Sequence, residues 1–186
     1  YARYESWSLE EGQVKSGSHS IEQGVGVRAV SGEKTGFAYS DDILLPALQD
    51  AAGAARAIAR HGGEGRAPVA LRAGPALQLY GPLDPLASLA DDAKVRLLES
   101  IETEARQLDP RVKQVMASLA GVHETILVVR SDGLLAADIR PLVRLSVTVI
   151  VEQNGRREQG TAGGGGRYNY QYFLEGDRAQ SFAREA

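Results

Sequence analysis

Cysteine is missing altogether from these 186 residues, and methionine and tryptophan occur once each. Without thiols there are no disulfides and no thiolate metal sites, and a reducing cytoplasm is the compatible setting. No apolar run approaches the roughly 20 residues needed to cross a bilayer, and no signal peptide is visible, so no membrane contact is expected. An excess of one charge is lacking too: 21 basic against 24 acidic residues leave a net charge of −3. That balance gives no broad electrostatic footprint for nucleic acid, which argues against direct DNA binding. Histidine is scarce, at three residues. His19 and His61 lie far from His123 in sequence and bring no clustered carboxylate. His123-Glu124 opens like a zinc-protease helix, yet Leu127 and Val128 stand where the second histidine belongs in the four- and five-residue spacings, and the surroundings alternate like a strand. No metal and no cofactor are therefore expected on this chain, and no Ser-His-Asp arrangement can be assembled from it.

What the chain does have is alternation punctuated by glycine. Residues 4 to 40 read as strands, Trp7 and Leu9 sharing a face, with turns near Gly12, Gly17 and Gly32. Asp41 and Asp42 offer N-cap oxygens to a helix on which Leu44, Leu48, Ala51, Ala55 and Ile58 recur, with Pro46 in its first turn and Gly62-Gly63 as its stop. From His61 to Ala87 glycine and proline prevail without periodicity, the pattern of a long connection or flap. Ser88 and Asp91 have capping-box spacing before a second helix, whose stripe is Val95, Leu98, Ile101, Ala105 and Leu108 and whose end is Asp109-Pro110. Strands are predicted near 112–119, 122–131 and 134–139, with Asp132-Gly133 a hairpin turn. Between Leu142 and Glu152, Val143, Leu145, Val147, Val149 and Val151 share one face, opposite Arg144, Ser146, Thr148 and Glu152. Asn154-Gly155 turns the chain back, Tyr168, Tyr170 and Tyr172 alternate as in a strand, and a helix begins at Arg178.

These elements predict a single α+β domain over residues 1–186, long enough to bury roughly 70% of its unfolded surface. Its sheet should be twisted and mainly antiparallel or mixed, made from two similar strand units and packed against two long helices. The glycine order suggests that Gly12 corresponds to Gly133 and Gly32 to Gly155.

Gly24-Val25-Gly26-Val27-Arg28-Ala29 matches the dinucleotide fingerprint by letters, but that motif must open a helix, and alternation here continues to Gly32. Gly163, Gly164, Gly165 and Gly166, followed by Arg167, are the candidate substrate-binding residues. Four glycines carry a large entropic cost, so they form either a flexible hairpin tip or a surface close to which a peptide backbone can pass. Asp41-Asp42 and Asp91-Asp92 sit where helix caps want carboxylates. Asp138 can pair with Arg140 or the two can orient Arg144, and the sequence leaves this open.

The wording of ESWSLEEG (5 to 12), IEQGVGVRAVSGEKTGFAYSDD (21 to 42), DGLLAADIRPLVRLSVTVIVE (132 to 152) and GTAGGGGR (160 to 167) resembles the amino-terminal domain of the TldD/PmbA metalloproteases, whose older description is modulator of DNA gyrase. The TldD branch is the nearer one. The resemblance implies a cytoplasmic peptidase acting on peptides or unfolded segments, in which this part shapes the substrate channel and the dimer contact. It implies zinc on a His-Glu-x-x-x-His helix in a carboxy-terminal half beyond these residues, and a PmbA-type partner subunit or a homodimer. The chain opens at Tyr1 without an initiator methionine and closes inside an apparent helix, so it is expected to be a fragment, inactive alone. The rival reading is a non-enzymatic interaction module of the gyrase-modulator type.

Overall fold

The computed structural model describes residues 1–60, 70–74 and 79–186. Among the described residues, eight strands and three α-helices make an α+β fold: β1 (Ala2–Glu10), β2 (Gln13–Glu22), β3 (Val25–Ser31), β4 (Lys34–Ser40), α1 (Leu45–Ala59), β5 (Arg72–Ala73), α2 (Asp91–Leu108), β6 (Val112–Val129), β7 (Leu134–Gln153), β8 (Arg156–Gly166) and α3 (Arg178–Glu185). They divide into two compact units, the first holding 21–74 and 128–136, the second 2–20, 75–127 and 137–186.

In the first unit β3 and β4 form an antiparallel hairpin on which α1 lies. The small residues Ala51, Ala55 and Ala59 make the buried stripe of α1, while Leu44 and Ile58, expected on that stripe, are exposed. The approach is close: a Cβ built on Gly36 of β4 would stand 2.1 Å from the Ala55 carbonyl oxygen. Asp42 does not cap α1. Its Oδ1 accepts from the Leu44 N–H at 2.8 Å, a local turn, and the cap position is Leu44, with Pro46 in the first turn as expected. Arg72–Ala73 pairs parallel with Leu134–Leu135, a short strand inside the segment read as a connection. The Gly62-Gly63 stop and His61 lie outside the described residues.

The second unit is built on the large sheet, whose strand order is β2-β1-β6-β7, with β8 antiparallel to β7. One face is covered: Leu9, Val115, Leu119, Val143, Leu145 and Val147 pack with Leu97, Leu98 and Ile101 of α2, Ala179 and Ala183 of α3, and Tyr170 and Phe173. The periodicity of β7 is thus borne out, and its apolar face meets α2 and α3. Lys94 and Glu102 interrupt the α2 stripe and are themselves buried. Lys94 reaches Glu5 at 2.6 Å, and Glu102 accepts the Gly12 N–H at 2.5 Å and pairs with Arg106.

Several boundaries differ from expectation. Gly17 is inside β2 rather than at a turn, with the Trp7 ring 3.1 Å from where its Cβ would be. Segments 112–119 and 122–131 are one strand, because Gly121 stays in register opposite Glu5 and leaves space for the Tyr170 phenol. β7 runs on through Pro141, between the stretches that pair with β5 and β8, a place where a residue without an N–H is tolerated. Tyr170–Leu174 is a 3-10 turn burying Tyr170 and Phe173 three residues apart, not a strand. Ser88 caps nothing: its hydroxyl donates to the Pro85 carbonyl and accepts from the Tyr170 N–H.

Turn geometry also reassigns the glycine correspondences. Glu11-Gly12 and Asn154-Gly155 both have two positive φ values, 52° and 71° against 52° and 78°, which is the type I′ hairpin turn. Gly12 therefore matches Gly155. Gly32 opens a two-residue loop, whereas Gly133 closes a three-residue one in which its N–H donates to the Arg130 carbonyl.

Candidate functional site: the glycine edge of β8

Gly163 to Gly166 are not a hairpin tip. They are paired in strand β8, with Val143 opposite Gly166, Arg144 opposite Gly165, Leu145 opposite Gly164 and Ser146 opposite Gly163. Gly164 and Gly166 lie half-buried on the α3 side, Gly164 under the Phe182 ring; Gly163 and Gly165 are exposed on the solvated face. A Cβ at Gly165 would fall 1.9 Å from the Val143 carbonyl oxygen, and one at Gly163 would fall 2.4 Å from that of Leu145. The pairing with β7 itself thus requires glycine at both positions. The result is a strand whose solvated face is bare backbone from Gly163 to Gly166, and among the described residues β8 pairs with β7 alone, leaving its outer edge open.

The solvated face around this edge is polar. Thr148 and Thr161 share a hydrogen bond at 3.1 Å across the hairpin. Arg144 donates to the Ser146 hydroxyl at 3.2 Å. Asp138 pairs with Arg140 at 2.7 Å and accepts from the Tyr80 hydroxyl at 3.1 Å, which settles the choice the sequence left open. The Arg140 hydrogen bond holds the Asp138 carboxyl below the usual carboxylate range. Arg167 donates to the Pro141 carbonyl oxygen at 3.1 Å, and its guanidinium lies 5.4 Å from the centre of the Tyr80 ring. Arg144 and Tyr80 were not singled out as site residues from sequence. Arg144 had a signal, its period-2 place opposite the glycines; Tyr80 had none, because only folding carries it there.

The donor groups of the described residues do not fit a zinc ion. Among the described residues no three His, Asp or Glu side chains come together in a metal-holding group. His123 faces Arg3, which is also bonded to Asp84, and His19 lies 3.6 Å from Glu5 at the sheet edge. Gly24 to Ala29 fall at the start of β3 and in its body, not at a helix N-terminus, so the geometry for pyrophosphate is missing.

Comparison with known proteins agrees with the wording of the motifs. Residues 1–59 match the PmbA/TldA metallopeptidase domain 1, and residues 84–186 match the PmbA/TldA metallopeptidase central domain. The chain is 50% identical over 187 residues to a protein of Haemophilus influenzae named metalloprotease TldD homolog, covering 98% of this chain and 39% of that protein. A relative of the same name from Buchnera aphidicola subsp. Schizaphis graminum is 46% identical over 178 residues, covering 93% of this chain and 36% of the relative. The chain thus spans well under half the length of these relatives. The fold is shared with a Thermotoga maritima protein described as a candidate modulator of a DNA gyrase, at a TM-score of 0.72 and 15% identity over 100% of this chain and 42% of the other. It is shared also with TldE from Thermococcus kodakarensis, at a TM-score of 0.68 and 15% identity, covering 100% and 42%. With both domain models matched in order and curated relatives near half identity, the chain belongs to the PmbA/TldD metallopeptidase family.

Proposed function

We propose that this chain is the substrate-channel and dimerisation part of a TldD-like metallopeptidase that cleaves peptides or unfolded segments in the cytoplasm, as one amino-terminal piece, residues 1–186, of a longer protein. The observation that carries the reading is the open edge of β8. An extended peptide adds to such an edge through main-chain hydrogen bonds, and the bare Gly163–Gly166 stretch with Arg167 at its end lets a second backbone come close. Strand addition reads the peptide backbone and needs the substrate unfolded, which suits a peptidase of unfolded segments. Zinc, the general base and the activated water are supplied by the remainder of the longer protein, a reading supported by the lack of a metal-holding group among the described residues. The likeness to TldE supports a PmbA-type partner subunit, with a homodimer as the form open to this chain alone.

The experiment compares the longer protein, co-expressed with a PmbA-type subunit and loaded with zinc, against the 186-residue chain. The longer assembly should cleave unstructured peptides and leave folded proteins intact, and the chain alone should do neither. An assembly that holds zinc yet cleaves no unfolded peptide would favour the non-enzymatic interaction module instead.

A further inference from the structure

Arginines in the second unit have acid partners almost without exception. Nine of them have an Asp or Glu oxygen within 4.0 Å. Arg144 and Arg167 do not: among the described residues Arg144 has only the Ser146 hydroxyl and Arg167 only the Pro141 carbonyl and the Tyr80 ring. In a chain with more acids than bases, two arginines without carboxylates are conspicuous, and both lie at the same end of β8. Arg144 is opposite Gly165, and Arg167 follows Gly166.

The glycines give Arg144 its reach. Its side chain is longer than the strand spacing of about 4.8 Å, and on its face of β8 neither Gly163 nor Gly165 has a side chain to stand in the way. Released from Ser146, the guanidinium can lie across β8 to the open edge. Arg167 is held differently, anchored by one N–H on Pro141 and set over Tyr80, with its other N–H groups free to donate. The acid nearest to them in sequence on this face, Asp138, is already neutralised by Arg140. Planar, permanently charged donors of this kind match the two oxygens of a carboxylate.

We propose that Arg144 and Arg167 form a carboxylate-recognition pair at the Gly165 end of the β8 edge, selecting extended peptides that place an acidic group there. This rests on the reading that β8 receives the peptide as an added strand. The carboxylate has two sources. A peptide's C-terminal group reaches this end only if the peptide runs parallel to β8, whereas an Asp or Glu side chain reaches it in either direction.

The test measures kcat and KM of the longer protein on a matched peptide set: free C-terminus or C-terminal amide, and Glu or Gln near each end. Arg144→Gln and Arg167→Gln should each raise KM for the carboxylate-bearing peptide about tenfold, the scale of one charge-assisted hydrogen bond, with kcat unchanged. Arg144→Lys should restore part of the loss, KM for neutral peptides should shift less than KM for the carboxylate-bearing peptide in every variant, and an unchanged thermal melt certifies folding. Loss of the preference on amidation assigns the C-terminal carboxylate; loss on Glu→Gln exchange assigns the side chain. Equal KM values for acidic and neutral peptides in the wild type, or equal shifts for both in the variants, would overturn the pair. Failure of the strand-addition reading shows in a separate arm, as an unaltered KM for peptides N-methylated along the backbone.

Discussion

Glu5 and Lys94 allow the stability of the second unit to be tested at one contact. Glu5 on β1 and Lys94 on α2 meet at 2.6 Å with side chains only 1% and 2% exposed, so Glu5→Gln keeps the shape and strands a buried ammonium. Removing one member of a buried pair costs about 3–5 kcal/mol. Lys94 retains Asp91 at 3.1 Å and the Leu86 carbonyl at 3.2 Å, but the Asp91 side chain is 66% exposed, so the lower end of the range applies, about 3 kcal/mol. Glu5→Gln combined with Lys94→Met leaves no unpaired charge and should unfold within about 1 kcal/mol of the wild type. Adding Lys94→Met to Glu5→Gln should therefore recover about 2–3 kcal/mol. Urea unfolding followed by fluorescence reports directly, because Trp7, the single tryptophan, donates its indole N–H to Glu5 at 2.5 Å. With an m-value of about 2 kcal/mol/M, the Glu5→Gln midpoint should fall by about 1.5 M. A loss below about 1 kcal/mol, or two single changes that simply add, would refute the reasoning.

Gly165→Ala should lower the melting temperature by several degrees through its collision with the Val143 carbonyl, whereas Gly53→Ala, with nothing within 4 Å, should raise stability by roughly 0.5–1 kcal/mol; equal shifts in calorimetry would contradict both assignments. Tyr170→Phe should leave urea stability unchanged or slightly higher, since the phenol oxygen is buried without a hydrogen-bond partner among the described residues, and a loss above about 1 kcal/mol would reveal one. The hydrogen bond from Arg111 holds the Asp109 carboxyl down at about 2, below its ordinary 3.8, so this contribution to folding is whole above about pH 4 and is lost as pH falls through 2. NMR titration should find that midpoint in the native chain and return it toward the ordinary value in Arg111→Gln.

The parts of the fold written in local pattern were legible. The alternation of Val143 to Val149 gave the buried face of β7, Asp109-Pro110 gave the end of α2, and Arg178 gave the start of α3. Whatever depends on a distant partner was not. Gly121 reads as a break until Tyr170 is seen to occupy its space, and Ser88 reads as a cap until its hydroxyl is seen to serve the Tyr170 amide. Gly163 and Gly165 tolerate no Cβ in their pairing with β7. The reason is the close backbone of β7, which composition cannot reveal.

The pairing of β1 with β6 has a consequence for how this chain can be inherited or cut. The two family segments, residues 1–59 and 84–186, place β1 in one and β6 in the other, although the strands lie side by side from Ala2 opposite Glu124 to Glu10 opposite Met116. A gene rearrangement or truncation that respected the segment boundary would separate nine paired residues. The later piece would emerge with Met116 to Glu124 unzipped, an exposed strand rim in search of any complementary chain. An exchange of one segment between relatives therefore has to keep the facing residues of β1 and β6 compatible.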